Sequence, residues 1–146
     1  MATIRQAAAA DAQTLAKLLG QLGYEASAAA IPSRIDAIEK GGGIVLVAID
    51  DANTVVGAAS GATLPTLHAD QPTAYITALV TTEGSRRRGI GRQLVAALER
   101  WALDTGCRRL SVTSAEHRTD AHAFYVACGF PYVGRRFTKT LLQAAS

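Results

Sequence analysis

Residues Thr81–Trp101, "TTEGSRRRGIGRQLVAALERW", put three arginines directly ahead of two glycines that stand one residue apart, and an amphipathic helix pattern follows. Residue types in this order suit the capture of an anion. The first N–H groups of a helix have no acceptor within it, and the helix dipole adds positive potential there. Glycine lets an anion approach the main chain, and arginine forks onto phosphate oxygens. Two familiar phosphate motifs do not fit. A P-loop ends in Gly-Lys-Ser/Thr, but Gly91 is followed by Arg92-Gln93. A dinucleotide fingerprint needs a third glycine where Leu94 stands and an acid about 20 residues on, and the stretch near Ser111 offers none.

A third pattern does fit. Arg86-Arg87-Arg88-Gly89-Ile90-Gly91 satisfies Arg/Gln-x-x-Gly-x-Gly/Ala between a strand and a helix, and "DAHAFYVACGF" (Asp120–Phe130) matches A-x-x-F-Y-x-x-x-G-F further on. Together with the strand-like "RRLSVTS" between them and "ITALVT" upstream, these segments resemble the GNAT superfamily of N-acetyltransferases. The resemblance is specific from Tyr75 to Phe130 and topological before that.

The resemblance implies acetyl-CoA as acetyl donor, with no metal. The CoA pyrophosphate would sit on main-chain N–H groups around Arg86, Arg87, Arg88, Gly89, Ile90, Gly91 and Arg92. The pantetheine arm would bond to main-chain groups near Leu79 and Thr81, where the strand splays from the next. Tyr125 matches the tyrosine that in many members protonates the departing thiolate; a phenol of ordinary pKa about 10 can supply a proton to a thiolate whose acid lies near 8.5. The alternative is that Tyr125 is a packed aromatic beside Phe124. Many relatives carry a Glu or Asp on the strand before the turn, but Thr77 and Ala78 stand there. Glu83, Glu116, His117 or a water held by Thr77 are the candidates to deprotonate an acceptor amine. Arg118 is either a phosphate contact or an exposed residue. His122 is read as structural. His68, Asp70, Tyr24 and Glu25 fall on the acceptor side by the family's geometry.

The elements that must position these groups can also be read from the chain. "TIRQA" suits a first strand, and Asp11 suits the cap of a helix with Leu15, Leu18, Leu19 and Leu22 at helical spacing, stopped by Gly23. A second helix is predicted from about Pro32 to Lys40, ended by Gly41-Gly42-Gly43. "GIVLVAIDDANTVVGAASGATL" gives two β-branched strands with a turn at Asp50–Asn53, and Thr73–Thr82 gives another. The best helix pattern runs from about Gly89 to Thr105, with Leu94, Leu98, Trp101 and Ala102 on one side, and Gly106 breaks it. "RRLSVTS" is a strand, "RTDAHAFYVACGF" a short helix closed by Gly129, and "YVGRRFTKTLL" a terminal strand or bent strand pair. The sum is a mixed α/β domain over residues 1–146, with a mostly antiparallel sheet of six to seven strands and about four flanking helices.

Composition bounds the alternatives. The chain has 146 residues, 49% apolar and 18% charged, which fits one globular domain. Its longest apolar runs, such as Ile44–Ile49, are strand-length, so no membrane span is expected. No apolar signal core follows Met1–Arg5, so a cytoplasmic protein is expected. Cys107 and Cys128 are then reduced core thiols, and no Cys/His cluster has zinc spacing. The net charge is +3, weak for a duplex-DNA binder, yet eleven of the fifteen cations follow Thr82. A polyanionic small molecule satisfies this as well as nucleic acid does, and 5% aromatic content provides few platforms for single strands. The expectation is therefore direct transfer of acetyl from CoA to an amine-bearing small molecule or peptide, with a homodimer as a family-level expectation. A non-catalytic acyl-CoA sensor on the same fold is the alternative. A basic nucleic-acid-binding domain comes third.

Overall fold

The computed structural model describes residues 2–85, 88–113, 119–134 and 136–142. They fall into two compact units, Met1–Val112 and Thr113–Ser146. The first unit runs β1 (Thr3–Gln6), α1 (Ala12–Gln21), α2 (Ile31–Lys40), β2 (Ile44–Ile49), β3 (Val55–Leu64), β4 (Thr73–Thr81), α3 (Ile90–Asp104) and β5 (Leu110–Val112). These strands form one five-stranded sheet in the order β1-β2-β3-β4-β5. The first three pairings are antiparallel, and β5 lies parallel to β4. The second unit contributes α4 (Thr119–Ala127).

The sheet is covered on both faces. Alternation along each strand sends Val45, Val47, Ile49, Ala58 and Val80 to one face, where they pack with Leu15, Leu18, Ile31 and Ile35 of α1 and α2. The intervening residues Gly57 and Gly61 face α3, whose Ile90, Leu94, Leu98 and Trp101 come so close that a Cβ at either glycine would meet them. Leu94 and Leu98 are fully buried.

Each of the four helices is followed by a glycine with positive φ: Gly23, Gly42, Gly106 and Gly129. At all four the same two bonds close the helix, as in Cys107 N to Ala102 O at 2.9 Å with Gly106 N to Leu103 O at 3.1 Å. The glycine stops expected from the sequence therefore hold. The cap expected of Asp11 does not take the expected form. Its carboxylate makes no bond to the first turn of α1. It turns back instead, accepting from Ala8 N at 2.8 Å and forming a two-pronged pair with Arg5, both contacts 2.9 Å. That bidentate geometry holds the Asp11 carboxyl below its ordinary pKa, chiefly through the Arg5 hydrogen bonds and against the opposing effect of burial.

The strand count needs correction. Five strands are present among the described residues, not six or seven. The terminal strand expected within Tyr132–Leu142 is absent among the described residues of that span. Val133, Phe137, Leu141 and Leu142 are all exposed, so no apolar burial offsets the cost of ordering the segment as a strand. "RRLSVTS" also yields only Leu110–Val112 as a strand.

Candidate functional site

The site begins with an irregularity in β4. Ser60 pairs with Ala78 and Gly61 with Ile76, so Thr77 is one residue too many on its strand. Such a bulge reverses which face later residues address. Ala74 accordingly packs with Ala102 and Cys107, whereas Val80, six residues on, packs in the α1/α2 core. At the bulge the Thr77 and Ser60 hydroxyls share a hydrogen bond of 2.6 Å. Thr77 is exposed and Ser60 is buried, so the pair bridges solvent and interior.

Beyond the bulge, β4 loses its outer partner. Pairing with β5 covers Ala74 to Ile76 and ends at Ile76–Val112. From Thr77 to Thr81, no strand flanks that side among the described residues. Thr82 N donates to Val56 O at 2.9 Å, and the antiparallel alternation then turns Val80 and Ala78 toward β3. Leu79 and Thr81 turn their N–H and C=O groups to the open side. An extended, polar ligand can bond there as a strand would.

The open edge leads directly into the arginine-glycine turn. Glu83–Ser85 form a single tight turn, with Ser85 N donating to Thr82 O at 2.9 Å and the Thr82 hydroxyl donating to the Ser85 hydroxyl at 2.9 Å. Ser85 is buried, which pins the turn to the end of β4. Arg88 N then donates to Ser85 O at 3.1 Å. Gly89 follows at φ 76° and ψ 12°, the left-handed conformation, and serves as N-cap of α3. A side chain there would be strained, which is why glycine opens this helix. Gly89 has no side chain with which to cap α3, and the first turn of a helix is a site that suits an anion.

The seven residues expected to hold that anion differ in what they can offer. Arg86 and Arg87 lie outside the described residues. Arg88 and Arg92 are exposed, and Gly91 is partly so. Ile90 is 3% exposed and its side chain would touch a Cβ at Gly57, so it can present only its main chain. Glu83 is exposed beside the turn. No carboxylate stands at the bulge, where Thr77 and Ser60 supply hydroxyls. Glu116, His117 and Arg118 also lie outside the described residues.

In the second unit, the sequence "FYVACGF" closes α4. Gly129, at φ 95°, donates to Val126 O at 3.0 Å, and Phe130 N donates to Tyr125 O at 2.9 Å. This cap folds the Phe130 ring back onto Tyr125, with centroids 5.9 Å apart at 75°. Phe124 meets the same phenol ring edge-on, at 5.3 Å and 70°. The G-F pair is thus the device that fixes the tyrosine's ring, and Tyr125 remains half-buried rather than enclosed. His122 lies on the same helix, also half-buried.

His68 and Asp70 are exposed in the loop before β4, at the end of that strand opposite the turn, and Tyr24 and Glu25 are exposed after α1. The bulge and the Ser60–Thr77 bond are features that sequence reasoning missed. "TAYITALVT" mixes small, polar and apolar residues too evenly for a change of face to show. Among the described residues no group of His, Cys, Asp and Glu could hold a metal ion, and no helix is long and apolar enough to cross a membrane.

The acetyltransferase (GNAT) family model matches residues 12–130. The chain is 48% identical over 42 residues to an aminoglycoside N(6')-acetyltransferase type 1 of Stenotrophomonas maltophilia, a stretch covering 29% of this chain and 28% of that relative. The chain spans less than half the length of the curated relatives it matches. Among solved structures, the fold is shared with an acetyltransferase of Trypanosoma brucei, at TM-score 0.82 and 22% identity over 97% of this chain and 100% of that one. It is shared equally with the aminoglycoside antibiotic 6'-N-acetyltransferase of Acinetobacter baumannii, at TM-score 0.83 and 18% identity over 99% and 100%. With a family match that spans most of its length, over a sheet whose β4 leads into the glycine-initiated α3, the chain belongs to the acetyltransferase (GNAT) family.

Proposed function

We propose that the protein transfers an acetyl group directly from acetyl-CoA to a primary amine. The observation that supports this most is the strand edge from Thr77 to Thr81, which lies beyond the end of the β5 pairing and precedes the glycine-initiated start of α3. On this reading the N–H groups of residues 86–92 hold the pyrophosphate, with Arg88 and Arg92 among the arginines that neutralise it. Leu79 and Thr81 bond the pantetheine amides. The whole of residues 1–146 then acts as one domain, a reading supported by structural neighbours that match nearly the full chain.

The amine nitrogen attacks the thioester carbonyl carbon, the C–S bond breaks, and the CoA thiolate leaves. Tyr125 is assigned as donor of the proton that thiolate takes up, its ring orientation set by Phe124 and Phe130. With hydroxyls rather than a carboxylate at the bulge, the amine's proton passes to a water held by Thr77 and main chain. Calorimetric titration with acetyl-CoA, followed by thiol release in the presence of an amine panel, tests the proposal. Binding without turnover of any amine would favour an acyl-CoA sensor. Salt-dependent binding of DNA or RNA without acetyl-CoA binding would favour the nucleic-acid reading.

A further inference from the structure

The first unit contains a cavity that the acetyl-CoA site does not use. It has a volume of roughly 140 Å³ and lies between α1, α2 and the sheet. Leu15, Leu18, Leu19, Ile35 and Ile38 form its helical walls, and Ser60, Ala78 and Val80 form its strand floor. Its lining is apolar with two exceptions, Ser60 and Arg34. Arg34 stands at an exposed position on α2, and its guanidinium makes no hydrogen bond or ion pair among the described residues. The neighbouring charges on that helix pair with each other, Lys40 to Asp36 at 2.8 Å. Ser60 is the link to the acetyl site, because its hydroxyl bonds Thr77 on the exposed bulge.

We propose that this cavity is the acceptor pocket, and that the acceptor is a primary amine with an apolar group of about benzene size and a carboxylate. This rests on the acetyl-transfer reading above. The size follows from the volume, since an apolar protein cavity of about 150 Å³ accommodates benzene. The apolar group fills the space between Leu18, Ile35 and Val80, the carboxylate meets the Arg34 guanidinium, and the amine is left beside Ser60 and Thr77, next to the open β4 edge. A polycationic aminoglycoside is a poor match. The only charge on this cavity is positive, and its walls offer no carboxylate to an ammonium group.

The test compares L-phenylalanine, phenethylamine, L-alanine and kanamycin as acceptors by CoA release, with acetyl-CoA affinity measured separately by calorimetry. Phenylalanine is expected to exceed alanine and kanamycin at least tenfold in kcat/KM. Arg34→Gln, an exposed substitution that leaves the fold intact, is expected to lower the phenylalanine value at least tenfold. It should leave phenethylamine and the acetyl-CoA Kd unchanged. Leu19→Phe, which narrows the cavity, is expected to abolish the preference for phenylalanine over alanine. If acetyl-CoA binds and kanamycin is the better acceptor, or if R34Q leaves the phenylalanine-to-phenethylamine ratio unaltered, the pocket assignment is wrong while the acetyl-CoA reading stands. If acetyl-CoA does not bind at all, the underlying reading falls and this one with it.

Discussion

The seating of α3 on β3 can be tested at Gly61. A Cβ built there would lie 2.7 Å from Trp101 Cζ3, 3.1 Å from Trp101 Cη2 and 3.3 Å from Leu98 Cδ2. Carbon atoms prefer a separation of about 3.5–4.0 Å, so Gly61→Ala requires a displacement of about 1 Å by the indole or by the helix. In a strand, alanine would otherwise stabilise relative to glycine by about 0.4–1 kcal/mol, because the unfolded chain loses freedom. The clash reverses the sign, since overpacking of this kind costs about 1–3 kcal/mol. At about 2.1 cal/mol/K per residue, 146 residues give an unfolding entropy near 0.3 kcal/mol/K. The expected fall in Tm is therefore about 3–10 °C. Trp101 is the single tryptophan of the chain, so its fluorescence reports the displacement directly. Replacing the indole in the background of Gly61→Ala, as Trp101→Leu, removes the obstacle, and a double-mutant cycle should show at least about 0.5 kcal/mol of favourable coupling. A Gly61→Ala protein with raised or unchanged Tm and native fluorescence would refute the packing argument.

Other expectations follow from single groups. Gly89→Ala meets no neighbouring atom but forces a side chain into φ 76°, so it should cost about 1 kcal/mol in thermal unfolding, weaken acetyl-CoA binding in calorimetry, and be exceeded in stability by Gly89→Asn. Asp11→Ala leaves the Ala8 N–H and the Arg5 guanidinium without their partner, a loss of about 1.5–3 kcal/mol at pH 7 by chemical denaturation. Because the folded Asp11 pKa lies below its ordinary 3.8, its contribution is present above the unfolded value and disappears as pH falls through the folded one. Acid titration of wild type should therefore show a stability loss below about pH 4 that is reduced in Asp11→Asn. Tyr125→Phe should lower kcat by about 10²-fold with little change in the KM for acetyl-CoA, as loss of a general acid predicts; an unaltered kcat would return Tyr125 to a packing role.

Sequence alone determined the features that depend on local chemistry. Gly23, Gly42, Gly106 and Gly129 end their helices where the sequence placed the stops, because only glycine adopts the left-handed residue of that cap without cost. The apolar spacing of Leu94, Leu98, Trp101 and Ala102 fixed the face of α3, and Gly89 fixed its start. The order of elements through α4 followed for the same reason. Tertiary structure decided whatever depended on a partner remote in the chain. The terminal segment has β-forming residues, but a strand exists only where another edge receives its hydrogen bonds and buries its apolar side, and Val133 and Phe137 remain exposed. Asp11 was read as a cap from its neighbours, yet its carboxylate is claimed by Arg5, six residues upstream. Above all, no property of Thr77 by itself announces a bulge. It arises from the register between β3 and β4. That one added residue turns Leu79 and Thr81 outward beyond the end of the β5 pairing, and it sets the Thr77 hydroxyl against Ser60, which lines a cavity walled by helices distant in the chain.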